Sequence, residues 1–256
     1  MSTSLRNVPS ISIVTAVFNC AATIRDSIES VSAQGVEVEH IVVDGGSTDG
    51  TLEVIEQYQA AIARVISGPD QGTYDAMNKG ILASIGDVVG ILNADDFYAH
   101  GNVLAKVVEV FADKTIDSCY GDLVYMDAAD RGRVIRSWRA GPYDVNRFYW
   151  GWMPPHPTFF VRRSVYEKYG PFNLSLGSSA DYELMLRFLL KHRITCRYIP
   201  ETLVKMRVGG MSNANLSNRL RANRMDRHAW RVNGLSPYPW TIPLKPISKL
   251  SQYWRR

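Results

Sequence analysis

The chain has 256 residues, of which 46% are hydrophobic and 21% are charged. This length suits one large α/β domain, because single hydrophobic cores stop growing at roughly 250–300 residues, and the composition is that of a folded protein, not a disordered one. The three cysteines are far apart and form no CxxC pair, which favours a reducing compartment. Because the first ten residues lack an apolar signal region and no apolar run is long enough to span a membrane, we expect a cytoplasmic protein.

Basic residues are concentrated at the C-terminal end. Residues 219–256 carry nine Lys or Arg and a single Asp, whereas residues 1–218 carry 20 basic and 24 acidic groups. A nucleic-acid-binding protein usually has its basic surface on the main fold, so we expect no nucleic acid as a partner. The same segment contains three tryptophans, and we expect it to hold the protein peripherally on an anionic membrane, at the inner face of the cell membrane. A solvated segment that packs its tryptophans on the domain is an equally good interpretation.

The first half of the chain alternates predicted strands and helices. Short β-branched runs predict strands at residues 11–17, 38–43, 64–67 and 87–92. Apolar residues at helical spacing predict helices at residues 21–34, 51–61 and 74–84. This alternation implies βαβ crossovers and a doubly wound, mainly parallel sheet.

The second half has a different pattern, with a smaller antiparallel part. Strands are predicted at residues 118–126, 133–138, 157–162, 195–199 and 203–208, and helices at 101–112 and 181–192. Residues 150–157 are predicted to form a loop. Four prolines follow Leu235, so we expect the chain beyond it to be irregular.

Polar residues follow each of the first four predicted strands. In an open parallel sheet the ligand crevice lies at the carboxyl ends of the strands, and Asp44, Asp70, Asp95 and Asp96 would meet there. Several carboxylates in one cleft repel one another unless a cation or hydrogen-bond donors compensate. Asp95 and Asp96 end an apolar strand and offer hard oxygen ligands for Mg²⁺ or Mn²⁺. The alternative is that this Asp pair caps the following helix.

Two further motifs lie beside the predicted crevice. Asp44 could accept a hydrogen bond from a uracil or a ribose, with Gly45 permitting close approach of the backbone, or it could bind local amides in a turn. Asp75, Asn78 and Lys79 share one helix face, and Lys79 could meet a diphosphate, although an ion pair between Asp75 and Lys79 competes with that interpretation. The turn lacks GxGxxG and GxxxxGK[ST], which argues against a dinucleotide fold and a P-loop.

The combined motifs resemble the family 2 inverting glycosyltransferases of GT-A fold. The segments that carry the resemblance are residues 13–19 (IVTAVFN), 40–49 (HIVVDGGSTD), 70–80 (DQGTYDAMNKG), 90–96 (GILNADD), 156–163 (HPTFFVRR), 179–184 (SADYEL) and 208–212 (VGGMS). The bacterial members that build exopolysaccharides, O-antigens and glycolipids are the most similar. The resemblance covers residues 10 to 212 approximately.

The resemblance implies residue roles. The residues expected to bind the nucleotide-sugar are Thr15, Val17, Asn19, Asp44, Gly45, Asp75, Asn78, Lys79, Asn93, Ala94 and Asp95. Asp95 and Asp96 match the metal motif of the family, although its commonly acidic first position is Asn93 here. Asp181 matches the general base, which an inverting transfer needs to take the proton from the acceptor hydroxyl, whereas from the sequence alone it would serve as a helix cap. His156, Trp150 and Trp152 could contact acceptor or serve as structural groups.

The predicted protein is therefore a GT-A-like α/β domain at residues 1–212, with a nucleotide-binding half (1–96) and an acceptor half (97–212), followed by a C-terminal helix and basic aromatic tail (213–256). Its expected function is inverting, Mn²⁺- or Mg²⁺-dependent transfer of a sugar from a UDP- or GDP-linked donor to a saccharide or lipid-linked acceptor of cell-surface polysaccharide or glycolipid synthesis. A nucleotidyltransferase and a non-catalytic nucleotide-sugar-binding protein are the alternatives.

Overall fold

A nine-stranded sheet forms the centre of the computed structural model, which describes residues 8–127, 130, 132–208, 216–248 and 252. The strands are β1 (Ile11–Val17), β2 (Val38–Asp44), β3 (Arg64–Ser67), β4 (Val88–Ile91), β5 (Phe97–Tyr98), β6 (Ser118–Met126), β7 (Val134–Trp138), β8 (Phe160–Arg162) and β9 (Cys196–Arg207). Their order is β3-β2-β1-β4-β8-β6-β9-β5, with β7 paired to β6.

Strands β1 to β4 form the parallel half of the sheet. All seven residues of β1 are buried, as expected for a parallel strand covered on both faces. The register pairs Val17 with Asp44 and Asp44 with Ser67, so the three strands end at one edge. This edge is where the predicted crevice belongs.

The helices are α1 (Ile24–Ser32), α2 (Thr51–Glu56), α3 (Thr73–Ala83), α4 (Val103–Phe111), α5 (Arg163–Tyr169), α6 (Ala180–Met185), α7 (Leu216–Val232) and α8 (Thr241–Ser248). Helix α1 buries Ile24, Ile28 and Val31, the residues whose spacing predicted it. Helix α6 continues into a wider π-helical segment, Leu186–Lys191. Helix α5 and strand β5 were not predicted from the sequence.

The sheet also contains the predicted antiparallel part. Strand β8 is antiparallel to β4 and β6, β7 is antiparallel to β6, and β5 is antiparallel to β9. The prediction of two separate strands at 195–199 and 203–208 was wrong, because Cys196–Arg207 is one strand along β6. The register slips between Tyr120 and Asp122, opposite Tyr198 and Thr202, so the residues around Pro200 bulge without ending the strand.

The C-terminal segment is more ordered than its prolines suggested. Helix α8 contains both Pro243 and Pro246, so the predicted irregular chain after Leu235 is wrong for these residues. Pro243 lies in the first turn, where no intrahelical N–H bond is lost, and the helix is anchored by Ile242, which is buried, and by Thr241, whose hydroxyl donates to the Tyr149 carbonyl at 2.7 Å. Packing of this helix against the domain therefore outweighs the cost of Pro246.

Trp230 of α7 lies in the main hydrophobic core. Its side chain is fully buried, and its indole N–H donates to the Tyr182 hydroxyl at 2.9 Å. Trp240 is 43% exposed, while Tyr253 and Trp254 lie outside the described residues. Within the described residues, no helix is both long and apolar enough to cross a bilayer.

Candidate active site

The ends of β1 and β2 are tied together at the carboxyl edge of the sheet. Asn19 adopts φ 51°, and its backbone N–H donates to the Ser47 hydroxyl at 2.8 Å. The Asn19 amide oxygen accepts from the Thr48 N–H at 2.9 Å. A left-handed conformation is tolerated better by Asn than by most residues, so the turn after β1 is fixed where a ligand would enter.

Asp44 lies beneath this turn and is completely buried. Its carboxylate accepts from the N–H groups of Gly46 and Ser47 at 3.1–3.2 Å and from the Ser67 hydroxyl at 2.8 Å. Gly45 lies against Asp70, since a Cβ on Gly45 would be 2.6 Å from Asp70 Oδ2. In this structure Asp44 therefore stabilises the turn, and the close approach at Gly45 is to a protein carboxylate.

Thr15 and Val17 point into the protein. The Thr15 hydroxyl is 3.0 Å from His40 Nε2, and Val17 packs with Ile28 and Ala94 in a small core. Phe18, the next residue, is 59% exposed at the same strand end. An exposed aromatic ring is available to a flat ligand there.

Helix α3 begins beside this edge. Lys79 Nζ lies 3.3 Å from Asp75 Oδ2 and donates to the Pro69 carbonyl at 3.0 Å. The Asn78 amide binds both backbone groups of Phe172, at 2.9 and 2.8 Å. Asp75 and Lys79 thus form the i,i+4 pair named above as the alternative, while Asn78 connects α3 to the segment around Phe172.

The turn after β4 carries Asn93, Ala94, Asp95 and Asp96. Asp95 is partly exposed, whereas Ala94 and Asp96 are buried. Asn93 Nδ2 donates to Asp96 Oδ2 at 2.8 Å. Arg207, at the end of β9, donates to the Asp95 carbonyl at 2.8 Å and pairs with Asp26. The Arg207 guanidinium therefore holds the backbone of this turn in place.

The carboxylate oxygens of this turn are suitable ligands for a divalent cation. Asp96 Oδ1 is buried and has no hydrogen-bond partner in the described part of the chain. Burial, followed by the nearby Asp95 carboxylate, raises the pKa of Asp96 well above its usual range. A buried carboxylate oxygen without a donor, next to a second carboxylate, is a position that a cation would stabilise. Because no cluster of three His, Cys, Asp or Glu exists among the described residues, diphosphate oxygens and water would complete the coordination.

Asp181 lies in the first turn of α6. Its Oδ1 accepts from the Tyr182 N–H at 2.8 Å, and its Oδ2 lies 3.5 Å from His156 Nδ1. The helix begins at Ala180, so Asp181 is not its N-cap, but the amide end of the helix still favours a negative charge there. In the described residues no Lys or Arg forms an ion pair with this carboxylate.

Tyr74 of helix α3 lies beside Asp181. Burial, followed by the nearby Asp181 carboxylate, raises the pKa of Tyr74 well above its usual range. Burial also lowers the pKa of His156, against the opposing effect of Asp181, which favours the neutral imidazole. Ile91 of β4, His156 and Asp181 line one small cavity, so Asp181 lies near the carboxyl end of β4.

Glu183 has a structural role. It is buried, its carboxylate pairs with Arg187 at 2.9 Å, and it accepts from Asn233 Nδ2 at 3.1 Å. This contact anchors α7 to α6. Trp152 is also buried, and its indole N–H donates to the Ala140 carbonyl, whereas Trp150 is 58% exposed.

The family model "Glycosyl transferase family 2" matches residues 12–170, more than half of the chain. The chain belongs to glycosyl transferase family 2. This assignment identifies a glycosyltransferase and not a nucleotidyltransferase. Asp181 lies beyond the matched residues.

Relatives of this family 2 glycosyltransferase occur in mycobacteria. It is 30% identical over 210 residues to a PGL/p-HBAD biosynthesis glycosyltransferase of Mycobacterium bovis (strain BCG / Pasteur 1173P2), with 80% of each chain covered. It is 32% identical over 194 residues to an uncharacterized glycosyltransferase of Mycobacterium tuberculosis (strain CDC 1551 / Oshkosh), with 73% of this chain and 71% of the other covered.

Solved structures show that the fold is of GT-A type. The S. aureus TarS 1–349 complex with UDP superimposes with a TM-score of 0.66 at 15% identity, over 86% of this glycosyltransferase and 65% of that chain. The mannosyltransferase PcManGT from Pyrobaculum calidifontis, in complex with GDP-Man and Mn²⁺, superimposes with a TM-score of 0.64 at 18% identity, over 94% and 74% of the two chains. The predicted fold class is thereby confirmed.

Three residues that the structure places at this candidate site were not predicted. Tyr74 lies inside the segment DQGTYDAMNKG, but a helical tyrosine carries no signal of a distant carboxylate partner. Phe18 adjoins the predicted Val17, and strand alternation could have shown that only one of the two faces the core. Arg207 ends a strand, and its contact with the Asp95 turn depends on the antiparallel half of the sheet.

Proposed function

We propose that this enzyme transfers a sugar, with inversion, from a nucleoside-diphosphate-linked donor to an acceptor hydroxyl. The observation that carries the proposal is the position of Asp181, whose carboxylate lines a cavity with Ile91 at the end of β4. The side chains of Tyr74 and His156 lie beside this carboxylate, with His156 Nδ1 at 3.5 Å from Asp181 Oδ2. We call the carboxyl ends of β1, β2 and β4, where the sugar donor would bind, the donor edge. A carboxylate next to this edge is suited to accept a proton from an acceptor hydroxyl.

The donor would bind across the carboxyl ends of β1, β2 and β4. Phe18 offers its exposed ring to the base, and the turn held by Asn19 and Asp44 offers backbone groups to the ribose. For the other residues predicted to bind the nucleotide-sugar, contact with the donor remains a prediction. UDP and GDP are the nucleotides we propose, since UDP, UDP-GlcNAc and GDP-Man are bound by the similar structures.

Asp95 and Asp96 are the residues we propose for Mn²⁺ or Mg²⁺. Asp95 is partly exposed and can reach a diphosphate, and Asp96 contributes the buried oxygen that lacks a donor. When bound, the cation would stabilise the negative charge that develops on the diphosphate. Asn93 supports the pair through its bond to Asp96.

The transfer step follows from these positions. Asp181 accepts the proton of the acceptor hydroxyl as the hydroxyl oxygen forms a bond to the anomeric carbon. The bond from that carbon to the diphosphate oxygen breaks on the opposite face, so the configuration inverts. The Tyr182 N–H bond and the neighbouring Tyr74 and His156 side chains would keep the carboxylate in position.

We propose a saccharide or lipid-linked acceptor of cell-surface polysaccharide or glycolipid synthesis, used at the cytoplasmic face of the membrane. A relative that is 30% identical is named for PGL/p-HBAD biosynthesis. Trp150, Tyr238, Trp240 and Ile247 are all exposed, and the two tryptophan rings are 5.9 Å apart. Exposed Trp and Tyr beside a basic segment are typical of interfacial binding to anionic lipid.

A screen of UDP- and GDP-sugars for Mn²⁺-dependent hydrolysis tests the proposal. We expect one donor to be hydrolysed, with loss of activity in EDTA and an inverted anomer in the first product observed by proton NMR. Donor binding without turnover for every nucleotide-sugar would instead favour a non-catalytic binding protein. A retained anomer would exclude the single displacement.

A further inference from the structure

A second cavity lies on the acceptor half, away from the donor edge. It has a volume of about 280 Å³ and is lined mainly by the segment from Trp138 to Met153 and by α8. Strands β1 to β4 contribute no lining residue. Its size approaches that of ordinary small-molecule sites, which begin at roughly 300 Å³.

The lining of this cavity combines cations with aromatic rings. Arg139, Arg147 and Lys245 contribute positive charge, and Trp138, Trp150 and Trp152 contribute indole faces. None of the lining residues is acidic. A cavity of this composition suits an anion that is attached to a ring or a chain.

Arg139 and Arg147 hold the positive charge that a ligand could use. Arg139 is exposed and forms no ion pair or hydrogen bond within the described ranges. Arg147 is held over the Trp152 ring at 4.7 Å and donates through Nη1 to the carbonyls of Ala140 and Pro142, both at 3.1 Å. Its other guanidinium N–H groups remain for a ligand. Two guanidinium groups can bind phosphate oxygens through paired hydrogen bonds.

Lys245 connects the cavity to the proposed catalytic carboxylate. Its ammonium group pairs with Asp226 at 2.7 Å and lies 3.5 Å from the centre of the Tyr182 ring. Tyr182 follows Asp181 directly in α6. Lys245, a lining residue of the cavity, therefore contacts the residue that follows the proposed base in α6.

We propose that this cavity binds a phosphate ester, with Arg139 and Arg147 on the phosphate and the tryptophans on the attached group. The identity of this ester rests on the proposed function. We take it to be the phosphate group that joins a sugar-transfer acceptor to its lipid. The exposed Trp150 belongs both to the cavity and to the aromatic surface proposed above to touch lipid. An acceptor held in a bilayer would therefore present its phosphate at this entrance.

Binding of small phosphates to the full chain tests the proposal without requiring sugar transfer. Hexyl phosphate, glucose 1-phosphate and inorganic phosphate are titrated in EDTA, so that cation-dependent binding at the donor edge does not contribute, and tryptophan fluorescence and calorimetry report binding. We expect an ester to bind more tightly than inorganic phosphate. A preference for hexyl phosphate indicates a lipid chain along the tryptophans, and a preference for glucose 1-phosphate indicates a sugar ring.

The variants R139Q and R139Q/R147Q identify the site. Arg139 has no structural partner among the described residues, so R139Q is expected to fold normally and to weaken ester binding about tenfold, the effect of losing one charged hydrogen bond. The control is R64Q, which changes an exposed arginine of β3 at the opposite edge of the sheet and should leave binding unchanged.

Equal affinity for all three phosphates, or unchanged binding in R139Q/R147Q, would overturn the proposal. The two proposals can fail separately. If the wild type hydrolyses no nucleotide-sugar but binds the ester, and the arginine variants lose that binding, the phosphate site is supported and only the proposed transfer is contradicted.

Discussion

Burial decides the role of polar residues that occupy equivalent places at the ends of strands. Asp44 and Asp95 both end parallel strands, yet Asp44 is buried with its oxygens bound to turn donors, while Asp95 stays partly exposed. Thr15 likewise uses its hydroxyl on His40. A sequence shows which side chains follow a strand, but not which of their hydrogen-bonding positions the protein itself occupies.

His40 makes the stability of the enzyme depend on pH. Burial lowers the pKa of His40 to about 4, from 6.5, so the unfolded chain binds more protons between these values. The free energy of unfolding should therefore fall as the pH decreases through this window, by about 2 kcal/mol between pH 7 and pH 5. Urea unfolding of the wild type and of His40→Gln at both pH values measures the effect. An equal loss in the two proteins would show that another group is responsible.

Helix α3 contacts both the parallel strands and later segments of the chain. Tyr74 lies beside Asp181, Asn78 binds the Phe172 backbone, and Gly80 lies against Val14 of β1. One helix therefore contacts both a strand of the proposed donor edge and the proposed base. A shift of α3 would change the distance between them, which is a sensitive quantity in a displacement reaction.

Gly80→Ala tests the contact between α3 and β1. Alanine is favoured over glycine inside a helix by about 1 kcal/mol, but a Cβ on Gly80 would be 2.2 Å from Val14 Cγ1. We expect the overpacking to dominate and to lower the free energy of unfolding by about 1–3 kcal/mol. In the control Gly35→Ala the nearest atom is 4.0 Å away, and stability should hardly change. A stabilised Gly80→Ala protein would mean that β1 and α3 are less tightly packed than the structure indicates.

The elements that the sequence predicted well are those with a local periodic signal. Strand Ile11–Val17 and helix Ile24–Ser32 carry period-two and helical patterns within one segment. Strand β9 was divided because Pro200 is locally unfavourable in a strand, and pairing with β6 compensates. Helix α8 was missed because Pro246 is unfavourable in a helix, and packing on Tyr149 compensates. Asp181 was found through the family motif, whereas its partners Tyr74 and His156 depend on contacts between distant segments.

At the scale of the whole molecule, the C-terminal helices pack against the second half of the chain. Trp230 is buried against Tyr182, Asn233 binds Glu183, and Lys245 reaches Asp226. A chain that ends before α7 would expose this core, so truncation cannot separate membrane binding from folding. Substitutions on the exposed aromatic surface can separate them.

Vesicle binding tests the proposed contact with anionic lipid. The variant W150S/W240S removes two exposed rings without touching the core, and its retention on phosphatidylserine-containing vesicles should fall severalfold in a sedimentation assay. Phe18→Ser removes an exposed ring at the donor edge and should retain wild-type binding. Equal retention of all three proteins would exclude the aromatic surface as the lipid contact.

The most direct measurement of the catalytic account is the activity of Asp181→Asn with the nucleotide-sugar that the wild type hydrolyses in the presence of Mn²⁺. A positioned general base contributes roughly 10²–10⁴-fold, so kcat should fall within or beyond this range while calorimetric affinity for the nucleoside diphosphate stays within twofold of the wild type, roughly 0.4 kcal/mol. The control Asp113→Asn changes an exposed carboxylate outside the site and should keep full activity. Full activity in Asp181→Asn would contradict the proton transfer on which the proposed mechanism depends.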